Sequence, residues 1–165
     1  MAHITNNAKD NYIDIWKSII GNFVPKYKHS SGLSGGGSNT LSYDAHLNQD
    51  ITLYPLWLSV ITFGLLPNFK LGSTRERISL PNDRYILVTE KSTIARRNLN
   101  FSHNTFIDPG FNGYVTLELL NNSHKFIRLK KGQPIVQFLL FKTEFVCDGY
   151  NGKYQNQINE PMKAI

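Results

Sequence analysis

From Thr40 onward, apolar stretches of strand length alternate with turn residues about every 8 to 12 positions, the rhythm of an all-β sandwich or barrel. The stretches are LSYDAHL, ITLYPLWLSVITFGLL, FKLGS, RISL, YILVTE, FIDPGF, YVTLELL, FIRLKK and PIVQFLLFKTEF. In YVTLELL, Val115, Leu117 and Leu119 take one face while Tyr114, Thr116, Glu118 and Leu120 take the other, so a period of two keeps Glu118 off the core face. Lys130-Lys131-Gly132-Gln133-Pro134 reads as a turn between two strands. Helical spacing occurs near the start, where Ile13, Trp16, Ile19 and Ile20 share a face between Asp10 and Ile20 and Gly21 follows as a stop. This predicts one short helix within residues 1–28, packed on the rest of the domain. Residues 29–39, HSSGLSGGGSN, predict a mobile Gly/Ser-rich loop. Residues 146–165 form a polar, tyrosine-bearing tail that is expected to be disordered unless it folds over a ligand.

Length and charge narrow this picture. At 165 residues the chain suits one domain, 1–165, with a core of its own. The 18 Lys+Arg against 12 Asp+Glu give a net charge of +6, which suits a polyanionic ligand such as a nucleotide. The single cysteine, Cys147, allows no internal disulfide and no thiolate metal cage. The start, MAHITNNAKD, lacks a cationic end followed by an apolar run, and no stretch reaches the length that spans a bilayer. The expectation is a cytoplasmic protein without membrane or nucleic-acid partners. The Asn-x-Ser triplets at Asn100 and Asn121 then read as chance matches.

Several chemistries fall away. A zinc nucleoside deaminase needs His-x-Glu and Pro-Cys-x-x-Cys, and one cysteine cannot supply two ligands, so no zinc is expected. The chain has no Gly-x-x-x-x-Gly-Lys-Ser/Thr phosphate loop, Rossmann glycine fingerprint or His-Glu-x-x-His helix. Gly32-x-Ser34-x-Gly36 matches the nucleophile-elbow pattern, but polar residues precede it and glycines follow, where a strand and a helix are required.

The stretch from Glu90 to Glu118, EKSTIARRNLNFSHNTFIDPGFNGYVTLE, joins a cationic, hydroxyl-rich turn, an Asp-Pro-Gly turn with an aromatic, and a strand with one carboxylate among apolar residues. Taken alone, the turn can be an ordinary basic loop, Asp-Pro-Gly needs no function to exist, and Glu118 can be a solvated strand glutamate. Together they read as a nucleotide site.

Lys91-Ser92-Thr93-Ile94-Ala95-Arg96, Ile107-Asp108-Pro109-Gly110-Phe111-x-Gly113 and Thr116-Leu117-Glu118 resemble the dCTP deaminase branch of the trimeric dUTPase superfamily. Upstream, Ser42-Tyr43-Asp44-x-x-Leu47 and Thr74-x-Glu76-x-Ile78-x-Leu80-Pro81 resemble the family's early strand and the segment before its phosphate turn. Downstream, Lys131-Gly132-Gln133-Pro134-Ile135-Val136-Gln137 and Tyr150-x-Gly152-Lys153-Tyr154-Gln155-x-Gln157 resemble a later turn and strand and the substrate-covering tail. The motifs run in order over about 120 residues, from Ser42 to Gln157. The chain differs from the family pattern at Lys91, commonly arginine there, at Arg97-Asn98, commonly Leu-Gly, and at Asn104 and Phe106.

The resemblance implies a distorted β-barrel or jelly roll of the dUTPase type. It implies a homotrimer with interface active sites and hydrolytic deamination of dCTP to dUTP and ammonia. Glu118 falls on the proton-shuttling glutamate; covered by the tail, its carboxyl would be desolvated and its pKa raised. Ser92 and Arg96 fall on the pair that orients water and stabilises developing charge, and Lys91 and Thr93 on triphosphate contacts. Asp108 falls near the deoxyribose, Phe111 on the sugar, Tyr150 and Tyr154 over the nucleotide, Lys153 on the terminal phosphates and Gln157 near the base. Ile94, Ala95, Thr116, Leu117 and Gln137 complete the implied substrate-binding set. Mg²⁺ is implied on the triphosphate and not on protein ligands. Because Asp108 accompanies Glu118, a dUTPase or a bifunctional enzyme releasing dUMP and pyrophosphate is a second reading, and a non-catalytic nucleotide binder a third.

Overall fold

The structure, a computed structural model, describes residues 6–28, 35–39, 41–101 and 106–163, with side chains from residue 12 onward. Gly32 and Ser34 of the Gly-x-Ser-x-Gly match, the loop residues 29–34, and Asn104 lie outside the described residues.

Helix α1, Asn6–Ile19, begins earlier than its apolar spacing suggests and leads directly into a short strand, β1, Ile20–Gly21. Its core-facing residues Trp16 and Ile19 are buried, and Trp16 packs 5.8 Å from the ring of Tyr43. Among the described residues three antiparallel sheets follow. The first contains β1, β5 (Phe69–Ser79), β9 (Asn112–Asn121) and β7 (Leu99–Phe101), in that order. The second has the order β2 (Gly37–Ser38), β3 (Ser42–His46), β11 (Pro134–Lys142), β6 (Arg84–Glu90), β8 (Phe106–Ile107). The third is a two-stranded ribbon of β4 (Ile51–Leu53) and β10 (Ile127–Leu129). The two larger sheets share one buried cluster that includes Tyr43, Ile78, Ile86, Leu117, Leu119 and Phe138. The architecture is mostly β, as the period-two runs predict.

Three local expectations are corrected. The run ITLYPLWLSVITFGLL is a strand only over its first three residues, β4; Pro55 then caps a short helix, α2, Leu56–Ile61. Proline pre-sets the φ of a helix start and interrupts a ladder, and Leu56, Trp57, Val60 and Ile61 have helical spacing. The runs FKLGS and RISL belong to one strand, β5, whose register against β9 shifts between Ser73 and Arg77. At this bulge the Thr74 hydroxyl donates to the Glu76 carbonyl and accepts from the Val115 amide, closing the interrupted ladder. Within 29–39, Gly37–Ser38 forms β2 and Gly36 bridges Tyr27, so the described part of the glycine-rich segment holds regular structure.

The bulge also turns Glu76 into the core, where it is fully buried. Its carboxyl accepts from the His46 amide at 2.9 Å and the Tyr43 hydroxyl at 3.2 Å, and it meets His46 Nδ1 at 2.5 Å. Tyr27 closes the other side, its hydroxyl 3.0 Å from His46 Nε2 and its ring stacked on the imidazole. Burial, then the nearby Glu76 carboxyl, push the Tyr43 hydroxyl far above its ordinary pKa, so it stays a donor. Asn121 is also fully buried and donates to the carbonyls of Leu53, Tyr54 and Lys125. An Asn committed in this way is not an accessible acceptor for a glycan.

Candidate active site

Strand β9 carries the alternation that places Glu118. Val115, Leu117 and Leu119 are buried, Thr116 is half-buried and Glu118 is exposed. Glu118 and Thr116 line a cavity of about 460 Å³ together with Asp108, Phe111, Tyr150, Tyr154 and Gln157. That volume lies in the usual range for small-molecule sites, about 300–1,000 Å³. Phe69, Leu71 and Phe106 give it apolar walls, and Met162 and Lys163 reach it from the tail. Seven residues implied by the resemblance therefore converge in one chain. Leu117 does not join them; its side chain is core.

The Asp-Pro-Gly turn is shaped by the tail. Gly110 has φ +76, and a Cβ there would stand 2.6 Å from Gly149 Cα. Gly113 has φ +152, and a Cβ would stand 2.8 Å from the Gln157 amide nitrogen. Only glycine permits both the backbone angle and the approach. Tyr150 N–H donates to the Pro109 carbonyl at 2.8 Å, and its ring lies 5.8 Å from that of Phe111. Gln155 accepts from the Asn112 amide and donates to the Gly110 carbonyl. Tyr114 N–H donates to the Gln157 carbonyl at 3.1 Å. The Thr116 hydroxyl accepts from Gln157 Nε2 and from the Met162 amide at 3.1 Å. The tail is thus ordered by the chain itself, contrary to the sequence expectation, because these backbone groups find partners along the start of β9. It leaves Glu118 exposed, so the cover expected over that carboxyl is not supplied within one chain. Lys153 lies 4.8 Å from the centroid of the Tyr154 ring and does not line the cavity.

The cationic turn lies elsewhere. Lys91 caps a one-turn helix, α3, Ser92–Ala95, which Ile94 anchors in the core. Ser92, Thr93 and Arg96 are exposed and Ala95 half-buried. Ser92 and Arg96 stand four residues apart, hence on one side of the turn. None of Lys91, Ser92, Thr93 and Arg96 lines the Glu118 cavity. Lys91 Nζ instead pairs with Asp44 at 2.5 Å, and Gln137 donates to Ser42 at 3.0 Å and Asp44 at 3.4 Å. Asp44 is 4% exposed and was not among the sequence candidates, although it stands in the Ser-x-Asp-x-x-Leu motif. The turn ends at Asn98, φ +54, where the family commonly has glycine. Asparagine is among the residues that best tolerate this left-handed geometry. Asn98→Ala is expected to destabilise the protein by about 1 kcal/mol and Asn98→Gly by less, measured by urea denaturation.

Among the described residues no group of three His, Cys, Asp or Glu side chains is arranged to hold a metal. Also among them, no helix is long and apolar enough to cross a membrane.

The dUTPase of equine infectious anaemia virus (EIAV) superposes with a TM-score of 0.54 at 17% identity, covering 83% of this chain and 98% of that one. A point-mutant dUTPase of phage phi11 of S. aureus, whose structure details a structural Mg(II) ion, superposes with a TM-score of 0.55 at 12% identity over 81% and 95%. The chain has the dUTPase-like fold. Within it, a family model described as dCTP deaminase-like matches residues 63–143. A dUMP-forming dCTP deaminase of Streptomyces griseus is 44% identical over 97 residues, which cover 54% of this chain and 50% of that protein. The chain thus spans about half the length of several curated relatives it matches. A dCTP deaminase of Anaplasma phagocytophilum is 28% identical over 169 residues, covering 89% of this chain and 90% of its own length.

Proposed function

We propose that the protein hydrolytically deaminates dCTP to dUTP and ammonia, at sites completed between subunits of a homotrimer. The observation that carries this reading is the position of Glu118. Strand alternation sets the carboxyl on the wall of a nucleoside-sized cavity that the Asp108–Phe111 turn and the tail residues Tyr150, Tyr154 and Gln157 also line.

The reaction adds water at C4, places a proton on N3, and breaks the C4–N bond to release ammonia. Glu118 takes one proton from the attacking water and gives it to N3, then takes the second from the C4 hydroxyl so formed and gives it to the leaving nitrogen as the C4–N bond breaks and the C4 carbonyl forms. Ser92 orients the water and Arg96 stabilises the charge that develops, both supplied by the α3 turn of a neighbouring subunit, since neither reaches the cavity of its own chain. Lys91 and Thr93 hold the triphosphate, which brings Mg²⁺ as its counter-ion. Phe111 stacks under the deoxyribose and crowds a 2′-hydroxyl, with Asp108 beside the sugar, Tyr150 and Tyr154 over the nucleotide, Lys153 toward the terminal phosphates and Gln157 toward the base. Desolvation of Glu118 follows when the subunits close over it.

Asp108 on the cavity wall favours one alternative, a dUMP-forming enzyme that also activates water against the α-phosphate. Incubating the protein with dCTP and Mg²⁺ and separating the products distinguishes the readings. The expected product is dUTP with ammonia. Release of dUMP and pyrophosphate assigns the bifunctional chemistry, and binding without turnover removes dCTP deamination.

A further inference from the structure

The fifteen residues from Tyr54 to Asn68 carry no charged side chain, yet among the described residues they hold a run of exposed large apolar side chains. Helix α2 buries none of its residues. Phe63 is 96% exposed and Leu65 84%, and Leu56, Trp57, Val60 and Ile61 are each more than half exposed. Phe63 has φ +50, a region that bulky residues disfavour, so the backbone holds an aromatic ring outward at a cost. The segment is well anchored at its base. Tyr54 N–H donates to the Pro67 carbonyl, Trp57 Nε1 donates to the His124 carbonyl, and Tyr54 packs edge-on against Phe126. Anchored at its base, this cap is left uncovered by the other described residues.

Its place in the fold and its area say what covers it. The Asn121 amide donates to the Asn68 carbonyl and the Asn122 amide to the Asn98 carbonyl, so the end of β9 ties the cap to the exit of the α3 turn. On the other side the chain runs from Asn68 straight into Phe69 and Leu71, which wall the Glu118 cavity. The base of the cap is thus linked through the end of β9 to the α3 turn, and along β5 to the wall of the Glu118 cavity. The cap's six large side chains, about half to almost fully exposed, offer on the order of 600–1,000 Å², scaling ~150–250 Å² for a large side chain by the exposed fraction. A specific interface takes about 800 Å² from each partner. A membrane surface would need a second, basic signal, and the cap itself contains no cation.

We propose that this cap, with Phe126 beside it, is a docking element for a second copy of the chain, seated where the α3 turn of one copy meets the Glu118 cavity of another. The inference rests on the reading that the site is completed between copies. Such a contact is head-to-tail, and repetition with a closing rotation makes a ring.

The test is sedimentation of the full chain and of the double variant Phe63→Asp, Leu65→Asp, with circular dichroism as the check on folding. The wild-type chain is expected to sediment as an assembly, and the variant as a folded monomer or with self-affinity lowered at least about 100-fold, as for loss of central apolar anchors. A monomeric wild-type protein, or a variant that assembles as the wild type does, overturns the inference. Flotation of the wild type, but not the variant, on phosphatidylserine vesicles, with assembly unchanged, also overturns it in favour of a membrane surface. Assaying dCTP turnover in parallel separates the two readings. Loss of assembly in the variant upholds the docking element even where the wild type leaves dCTP unchanged, and turnover of dCTP by a variant that still assembles removes the docking element alone.

Discussion

Glu118→Gln is expected to lower ammonia release from dCTP by about 10²–10⁴-fold while leaving dCTP affinity within a few-fold of the wild type. The amide has the shape of the carboxyl and still hydrogen-bonds, but it cannot take a proton from water and return it to the base. The substitution is structurally mild, because Glu118 is exposed on the face of β9 opposite Leu117 and Leu119. A coupled ammonia assay reads the first quantity and calorimetry the second. Turnover within tenfold of the wild type would remove Glu118 from the proton-transfer role. Arg96→Ala, which alters the α3 turn and not the cavity, should lower turnover in the same assay. Mixing it with Glu118→Gln should restore part of the activity if the two residues act from different subunits.

The largest effect on stability is expected at a residue outside the proposed chemistry. Glu76→Ala leaves the His46 imidazole, the His46 amide and the Tyr43 hydroxyl without their shared acceptor, all within the core. Removing one partner of a buried, hydrogen-bonded pair costs about 3–5 kcal/mol, a large share of the ~5–15 kcal/mol that holds a domain folded. For a chain of this size, the melting temperature should fall by roughly 6–20 °C. Lys17→Ala, which breaks only the exposed pair with Asp14, should leave it nearly unchanged. A small shift for Glu76→Ala would mean that water enters and replaces the lost acceptor.

These two residues also mark how far the sequence could be read. Glu118 was placed by alternation, since a period of two is a local property of β9 that distant contacts do not alter. Glu76 was visible only as a letter in a motif. Its burial depends on a bulge in β5 and on a histidine thirty positions away, and neither leaves a periodic trace. The cap shows the opposite failure. An unbroken apolar run is ambiguous between helix and buried strand. Pro55 and the spacing of Leu56, Trp57, Val60 and Ile61 held the answer, although the strand rhythm on either side pointed the other way. The tail was legible in its residues but not in its docking. What admits it is the absence of side chains at Gly110 and Gly113, two positions that read naturally as ordinary turn glycines. The division of the candidate site between α3 and the β9 cavity could not be read at all from motif order, because sequence proximity of motifs carries no statement about which copy supplies each.

Cys147 gives a practical reach to the ordered tail. It is the only cysteine in the chain, half-buried, three residues before Tyr150, with its amide held by the Asn82 carbonyl at 2.9 Å. A maleimide fluorophore would label each protein molecule once, without any engineered thiol, on the segment that runs from the end of β11 to the Asp-Pro-Gly turn. Emission from that dye, followed by stopped flow after mixing with nucleotide, would time the rearrangement of the covering segment independently of product formation.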